Sequence, residues 1–142
     1  MNNSDILISI HPSHAEKIIS GEKRLEFRRS WAARPVEMLF IYATLRVQKV
    51  VAAAQVKHVF RGSRTSLWNL AKTKGGGISR RKLFSYLKGK KEAFAIELIK
   101  IKPIKGGIDP VLIFGPDFRP PQSFRYLTDE ERARLSKFMN AK

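Results

Sequence analysis

The chain has 142 residues, a formal net charge of +16 and no cysteine. Its length corresponds to about one domain, which we expect to span residues 1–142. The lack of cysteine excludes disulfides, thiolate chemistry and cysteine-based zinc sites. The apolar runs are shorter than the roughly 18 residues that a membrane helix needs, and the first residues do not form a signal-peptide pattern. We therefore expect a cytoplasmic protein without a membrane partner.

The positive charge is concentrated in the middle of the chain. Residues 46–105 hold 16 of the 28 lysines and arginines but only 2 of the 12 acidic residues. Close like charges repel one another in a compact protein, so this block favours a polyanionic partner. Nucleic acid is the usual one, because basic side chains that neutralise phosphates release counterions. A merely solubilising surface is the alternative, although it rarely needs so large a charge.

The first elements predicted are a strand, a helix and a second strand. Residues 6–10 are apolar and predict a buried strand. Ser13 and Glu16 have the spacing of a capping box that opens a short helix, and Gly21 suits the left-handed position just past its end. Residues 23–29 alternate apolar and charged side chains, which predicts a half-buried strand with a charged face.

The middle of the chain predicts two more strands and two short helices. Residues 38–45 and 50–60 are rich in aliphatic side chains and predict strands. A helix is expected at residues 63–72, and a second one begins after the capping residue Ser79. The run Gly75–Gly77 separates them and lacks the spacing of a phosphate-binding or dinucleotide-binding loop. We interpret it as a hinge.

The last third predicts a strand, a loop and a terminal helix. Residues 94–98 alternate as a strand that can extend to residue 104, and residues 106–122 predict a Pro/Gly-rich loop. Thr128 and Glu131 form a second capping box, which opens a helix to about residue 140. Strands outnumber helices and do not alternate with them, so we predict an α+β fold built on a small mixed β-barrel.

The segment from Gly21 to Arg28 is the main candidate for a site. Glu26 and Arg28 share one face of the predicted strand, because side chains alternate. Lys23 could contact a phosphate, or act as an acid, base or nucleophile if burial lowers its pKa. Two interpretations stay open at this point. The charge pattern alone favours a solvated strand face, and the other interpretation is a ligand site.

Aromatic and histidine side chains add weaker candidates. Ser123 and Phe124 follow two prolines, so a stiff loop presents a hydroxyl beside a ring that could stack on an unpaired base. Other aromatic candidates for stacking are Phe60, Trp68, Tyr86 and Tyr126. His11 and His14 lie three residues apart without further ligands, so we interpret them as structural or surface residues. We expect neither a metal nor a cofactor.

Several ordered blocks resemble the ASCH family, a branch of the PUA-like superfamily of small β-barrels. Gly21, Lys23, Glu26 and Arg28 match the family's Gly-x-Lys-x-x-Glu-x-Arg signature. Further blocks similar to the family are Ile6–Ile10, Ala15–Lys23, Tyr42–Thr44, Gly89–Glu97 and Pro120–Phe124. The resemblance implies a barrel of five to six strands with flanking helices, and a nucleotide-sized cleft lined by the Gly-x-Lys motif.

The resemblance also implies a function related to RNA. PUA-like domains commonly bind RNA, and ASCH proteins have been proposed as RNA-binding coregulators, which implies a role in transcription or translation. Some relatives are enzymes, with ribonuclease activity reported in the family. One branch deacetylates N4-acetylcytidine with the motif lysine and a threonine three residues later. Here that position is Glu26, which lacks the nucleophilic hydroxyl and argues against amidohydrolase activity.

Two main hypotheses result. In the first, the protein is a nucleic-acid-binding module, with RNA as the expected partner and DNA as the alternative. The residues expected to contact nucleic acid are Lys23, Arg28, Tyr42, Thr44, Arg61, Arg64, Arg80, Arg81, Lys88, Lys90 and Phe124. In the second, it is an RNA-directed hydrolase with Lys23, Glu26 and Ser123 as catalytic residues. Lys23 would stabilise charge on phosphorus, and Glu26 or Ser123 would transfer a proton. A protein-interaction role is a third possibility, for which the sequence gives no specific sign.

Overall fold

The structure is a computed structural model that describes residues 4–140. Its strands are β1 (Ser4–Ile10), β2 (Leu25–Arg28), β3 (Val36–Ala43), β4 (Lys49–Gly62), β5 (Ala93–Ile108) and β6 (Phe124–Tyr126). Its helices are α1 (Pro12–Ser20), α2 (Arg64–Lys74), α3 (Arg80–Tyr86), α4 (Val111–Phe114) and α5 (Asp129–Asn140). None of these helices within residues 4–140 is long and apolar enough to span a membrane.

The six strands form one mixed sheet in the order β2-β5-β4-β3-β1-β6. Strands β1 and β3 are parallel, and the other neighbours are antiparallel. The register between β4 and β5 shifts at three points, and such bulges increase the bend and twist of a strand pair. The sheet therefore curls into a half-barrel. The predicted α+β fold, a small mixed barrel of five to six strands, is confirmed.

Apolar side chains lie on both faces of the sheet. The alternation in β1 sends Ile6, Ile8 and Ile10 to the inner face, where α1 covers them, and Leu7 to the outer face beside α4 and α5. A third cluster packs α2 and α3 against the face of β2 that carries Leu25. Strand β2 is thus covered on both sides, although it is an edge strand.

Several sequence predictions need correction. The cap of α1 is not the Ser13–Glu16 box: His11 is the N-cap, and its ring accepts from the Ser13 backbone N–H. The strand predicted at 23–29 is shorter, and all four of its residues are buried. The prediction that Glu26 and Arg28 form a solvated face is therefore wrong, since α1 and β1 cover that face. The loop predicted at 106–122 contains α4, and β6 follows it.

Arg28 joins the two edges of the curled sheet. Its Nη2 donates to the backbone carbonyl of Ser9 in β1 at 2.8 Å, and its Nη1 donates to the hydroxyl of Ser123, which precedes β6, at 3.3 Å. The same guanidinium pairs with the Glu26 carboxylate through Nε and Nη2 at 3.0 and 2.9 Å. A single side chain thus bonds β2 at one edge to β1 and β6 at the other.

We predict that Arg28→Met destabilises the protein by about 3 kcal/mol, because it leaves the buried Glu26 carboxylate without its partner. Arg61→Met is the matched control. It breaks an ion pair with Glu92 whose side chains are 66% and 57% exposed, and such pairs contribute at most about 1 kcal/mol. Urea unfolding gives both free energies. Equal losses for the two variants would contradict the role of Arg28 in closing the sheet.

Candidate functional site

A cavity of about 340 Å³ lies where α1, β1 and β2 meet the start of α3. Polar and charged side chains share its wall with apolar ones. The lining residues are Ser9, Ile10, His11, His14, Lys23, Glu26, Phe27, Arg28, Ile78, Lys82 and Tyr86. The cavity therefore combines a charged floor with an apolar side, as ligand sites commonly do.

Lys23 lies in the wall of the cavity and is only 2% exposed. Its Nζ donates to the carbonyl of Gly76 at 2.7 Å and lies 4.9 Å from the centroid of the Phe27 ring. Burial lowers the pKa of the Lys23 amine, and the cations Lys17 and Arg28 lower it further, while Glu26 acts in the opposite direction. The structure thus holds a desolvated amine beside a carboxylate, which suits binding of an anion or proton transfer.

The glycine run connects α2 to α3, and its backbone packs directly against Lys23. Three successive carbonyls accept hydrogen bonds: Gly75 from the Arg24 N–H, Gly76 from Lys23 and Gly77 from the Lys17 amine. A Cβ on Gly77 would lie 2.8 Å from the Cβ of Lys23, and the φ of Gly77 is +62°. The run is therefore a fixed wall behind the lysine, which a hinge interpretation does not capture.

Glu26 and Arg28 form the floor of the cavity and are 7% and 9% exposed. Their ion pair, with side chains about one-tenth exposed, is held by the bonds from Arg28 to Ser9 and Ser123 described above. Because a carboxylate offers about four acceptor positions, Glu26 can accept further hydrogen bonds from a ligand. The pair is thus fixed in place and still has acceptor capacity.

His14 projects from α1 into the same cavity. Its Nδ1 is buried and has no hydrogen-bond partner among residues 4–140. Burial lowers the pKa of His14 below its usual value of 6.5, and the nearby Lys23 lowers it further. The imidazole is therefore neutral at pH 7, and a ring nitrogen is available to accept a proton or a hydrogen bond.

The structure brings together three residues of the predicted site and places a fourth at its edge. Lys23, Glu26 and Arg28 line one cavity, and the Ser123 hydroxyl bonds to Arg28 behind it. Their proposed roles in binding or catalysis stay predictions. Lys82 and His14 also line the cavity, although the sequence pattern did not assign either to the site. The sequence did offer one signal for His14: it lies on the short predicted helix, seven residues before the first glycine of the motif.

Other predicted contact residues lie away from the cavity. Tyr42 is buried on the outer face of the sheet, where its ring packs against Phe118. Phe124 packs on the inner core and against Trp31. The backbone N–H of Thr44 donates to the carbonyl of Ile10, at the end of β3. These positions share the fold with the site but do not line the cavity.

The predicted basic residues divide into three groups. Arg61 and Lys90 line a groove outside the cavity. Arg64 and Arg80 lie over the ring of Phe84, at 4.9 and 4.2 Å from its centroid. Arg81 in the first turn of α3 and Lys88, two residues past its end, are both exposed. Within the described part of the chain, no cluster of three or more histidines and acids could hold a metal ion.

Comparisons with known proteins agree with the fold and with the sequence blocks. No protein-family model matches the chain. The chain is 29% identical to the "ASCH domain-containing ribonuclease" of Zymomonas mobilis over 136 residues. This alignment covers 94% of this chain and 91% of that protein. The crystal structure of ASCH from the same organism aligns with a TM-score of 0.86 and 29% identity, covering 96% of each chain. The chain is thus similar to ASCH domain proteins over nearly its whole length, in sequence and in fold.

Two further ASCH structures from Zymomonas mobilis align equally well. One is a mutant with a serine replaced by alanine, at a TM-score of 0.86 over 95% of this chain and 96% of the other. In the other mutant a tyrosine is replaced by phenylalanine, and its structure aligns with a TM-score of 0.85 over 95% of this chain and 98% of the other. Both are 29% identical to this chain. The family resemblance inferred from the motif blocks is confirmed.

Lys23 should make the stability of the protein depend on pH. Because burial lowers its pKa in the folded state, the unfolded chain binds more protons there as the pH approaches 10.5, so stability rises with pH in that range. The gain is complete above 10.5 and disappears as the pH falls through the folded pKa. We predict that the free energy of unfolding of wild type, minus that of Lys23→Met, increases between pH 7 and 10.5. A difference that stays constant or decreases in urea unfolding would contradict this.

Proposed function

We propose that this ASCH protein binds RNA and that its cavity accepts one unpaired nucleotide. The observation on which the proposal rests is the cavity itself, where Lys23 and the Glu26–Arg28 pair are buried together beside an apolar wall. Burying charges without a use for them costs stability. This loss of stability is explained if the buried charges recognise a charged, partly apolar ligand.

The chemistry of the lining residues suits a nucleotide. The apolar side chains of Ile10, Phe27 and Ile78 can contact a base, and the Glu26 carboxylate can accept a hydrogen bond from an exocyclic amine. The ammonium groups of Lys23 and Lys82 can contact a phosphate. In this arrangement the base edge specifies the ligand and the phosphate contacts position it.

The rest of the chain supports a polymeric ligand. Residues 46–105 hold most of the excess positive charge, which supplies sequence-independent affinity for a phosphate backbone. A relative with 29% identity is named a ribonuclease, so RNA is favoured over DNA. We propose that residues 1–142 act as one unit in this binding.

RNA cleavage is the second candidate, and His14 is the observation that favours it. Its imidazole lies in the same cavity as Lys23, is neutral at pH 7 and has a buried Nδ1. In a cleavage step, His14 would take the proton of a ribose 2′-hydroxyl, and the 2′-oxygen would attack phosphorus. Lys23 would stabilise the charge on the phosphate oxygens. The leaving 5′-oxygen would take a proton from water.

One set of incubations tests both candidates. Fluorescence anisotropy of a labelled single-stranded RNA should show binding that weakens with salt. Lys23→Met should reduce the affinity at least about tenfold, because it removes a buried charged contact. The control is Lys105→Met at an exposed position of β5, which should change affinity less than about threefold. Absent binding, or equal losses in the two variants, would contradict the proposal.

Gel analysis of the same RNA separates binding from cleavage. Intact RNA supports the binding module alone. Cleavage that both His14→Ala and Lys23→Met abolish supports the ribonuclease, and its rate should fall as the pH is lowered through the depressed pKa of His14, because protonated imidazole cannot accept the proton. Cleavage that both variants retain would overturn the assignment of the reaction to this cavity.

A further inference from the structure

A basic groove adjoins the cavity beyond the end of β2. Its volume is about 680 Å³, twice that of the cavity. Four cations line it, namely Arg29, Arg61, Lys90 and Lys91, together with one acid, Glu92. The groove therefore has a formal charge of +3, and a concave surface of one sign concentrates ligands of the opposite sign.

Consecutive residues connect the groove to the cavity. Arg28 lines the cavity and Arg29 lines the groove, and neighbouring Cα atoms are about 3.8 Å apart. The Nη1 of Arg29 donates to the carbonyls of Tyr86 and Lys88 at 2.8 and 2.9 Å, and Tyr86 itself lines the cavity. Arg28 and Arg29, together with the end of α3 to which Arg29 bonds, thus connect the cavity to the groove.

Two half-buried aromatic rings lie among the cations of the groove. Trp31 lines it next to Arg29, and Phe94 lines it beneath Arg61, whose Cζ is 5.8 Å from the ring centroid. Aromatic rings beside a track of positive charge are the combination that binds single strands, because bases stack on the rings while cations contact phosphates. Paired bases in a duplex are already stacked on one another and cannot use such rings.

We infer that this groove binds single-stranded RNA, holding the nucleotides next to the one that enters the cavity. The inference rests on the proposed RNA binding and specifies the form of RNA and its path. The phosphates contact Arg29, Lys90 and Lys91, and unpaired bases stack on Trp31 and Phe94. Single-stranded RNA is thus the ligand, and duplex RNA is not.

Glu92 is the one acidic residue among those that line the groove. Its carboxylate pairs with the Nε of Arg61 at 2.9 Å, and both side chains are more than half exposed. In a groove for phosphates this carboxylate repels the ligand and occupies one of its cations. Glu92→Gln removes the repulsion and frees Arg61, so it should tighten RNA binding.

The test compares groove variants with a distant control by fluorescence anisotropy. The probes are a labelled RNA of about 12 nucleotides, within the usual range for single-strand sites, and the same RNA annealed to its complement. Lys90→Gln/Lys91→Gln removes two groove cations. Lys102→Gln/Lys105→Gln removes two exposed cations from the far end of β5, roughly 25 Å along the strand.

The groove pair of substitutions should weaken single-strand binding about tenfold and reduce the salt slope by about 0.7 for each phosphate that is no longer neutralised. The distant pair should change affinity less than about threefold, and Glu92→Gln should tighten it about threefold. Equal losses for the two lysine pairs, weaker binding by Glu92→Gln, or equal affinity for duplex would each overturn the inference. If wild type binds RNA and Lys23→Met weakens it while the groove variants match the distant control, only the groove assignment fails. Absent RNA binding overturns the proposed function as well.

Discussion

The half-barrel depends on one buried guanidinium that reaches across its open side. Strand β2 is at one edge of the sheet and β6 is at the other, and the two strands do not pair through backbone hydrogen bonds. Arg28 replaces those bonds with contacts to Ser9 and Ser123, and Glu26 balances its charge. A planar group with five donors in a fixed geometry suits this task better than a lysine.

Closing the sheet with an ion pair has a consequence for function. The face of β2 that carries Glu26 and Arg28 stays polar, so the cavity between α1 and β2 has a charged floor. The carbonyl of Gly76 then holds Lys23 at its wall, and glycine is required at the next position because a Cβ on Gly77 would collide with that lysine. In the proposed function, structural closure and ligand recognition therefore use the same few side chains.

Most of the fold follows from local patterns in the sequence. The apolar runs of β1 and β3, the alternation of β5, the glycine at the end of α1 and the capping box of Thr128 and Glu131 all depend on neighbours in sequence. The burial of Glu26 and Arg28 could not be predicted in this way. The alternation in sequence places them on one face of the strand, but it does not show that this face points into the protein. That outcome depends on α1 and β1 covering an edge strand. The place of His14 in the site was hidden for the same reason, since only tertiary packing brings it beside Lys23.

In the proposed function, one cavity, reached from a basic groove, receives a nucleotide of single-stranded RNA. A crystal structure of the protein with a short oligoribonucleotide tests it most directly. We expect a nucleotide in the cavity, with a phosphate near Lys23 or Lys82 and the neighbouring nucleotides beside Trp31 and Phe94. RNA bound elsewhere on the basic surface, with Lys23 still bonded only to Gly76 and the cavity without a nucleotide, would contradict it.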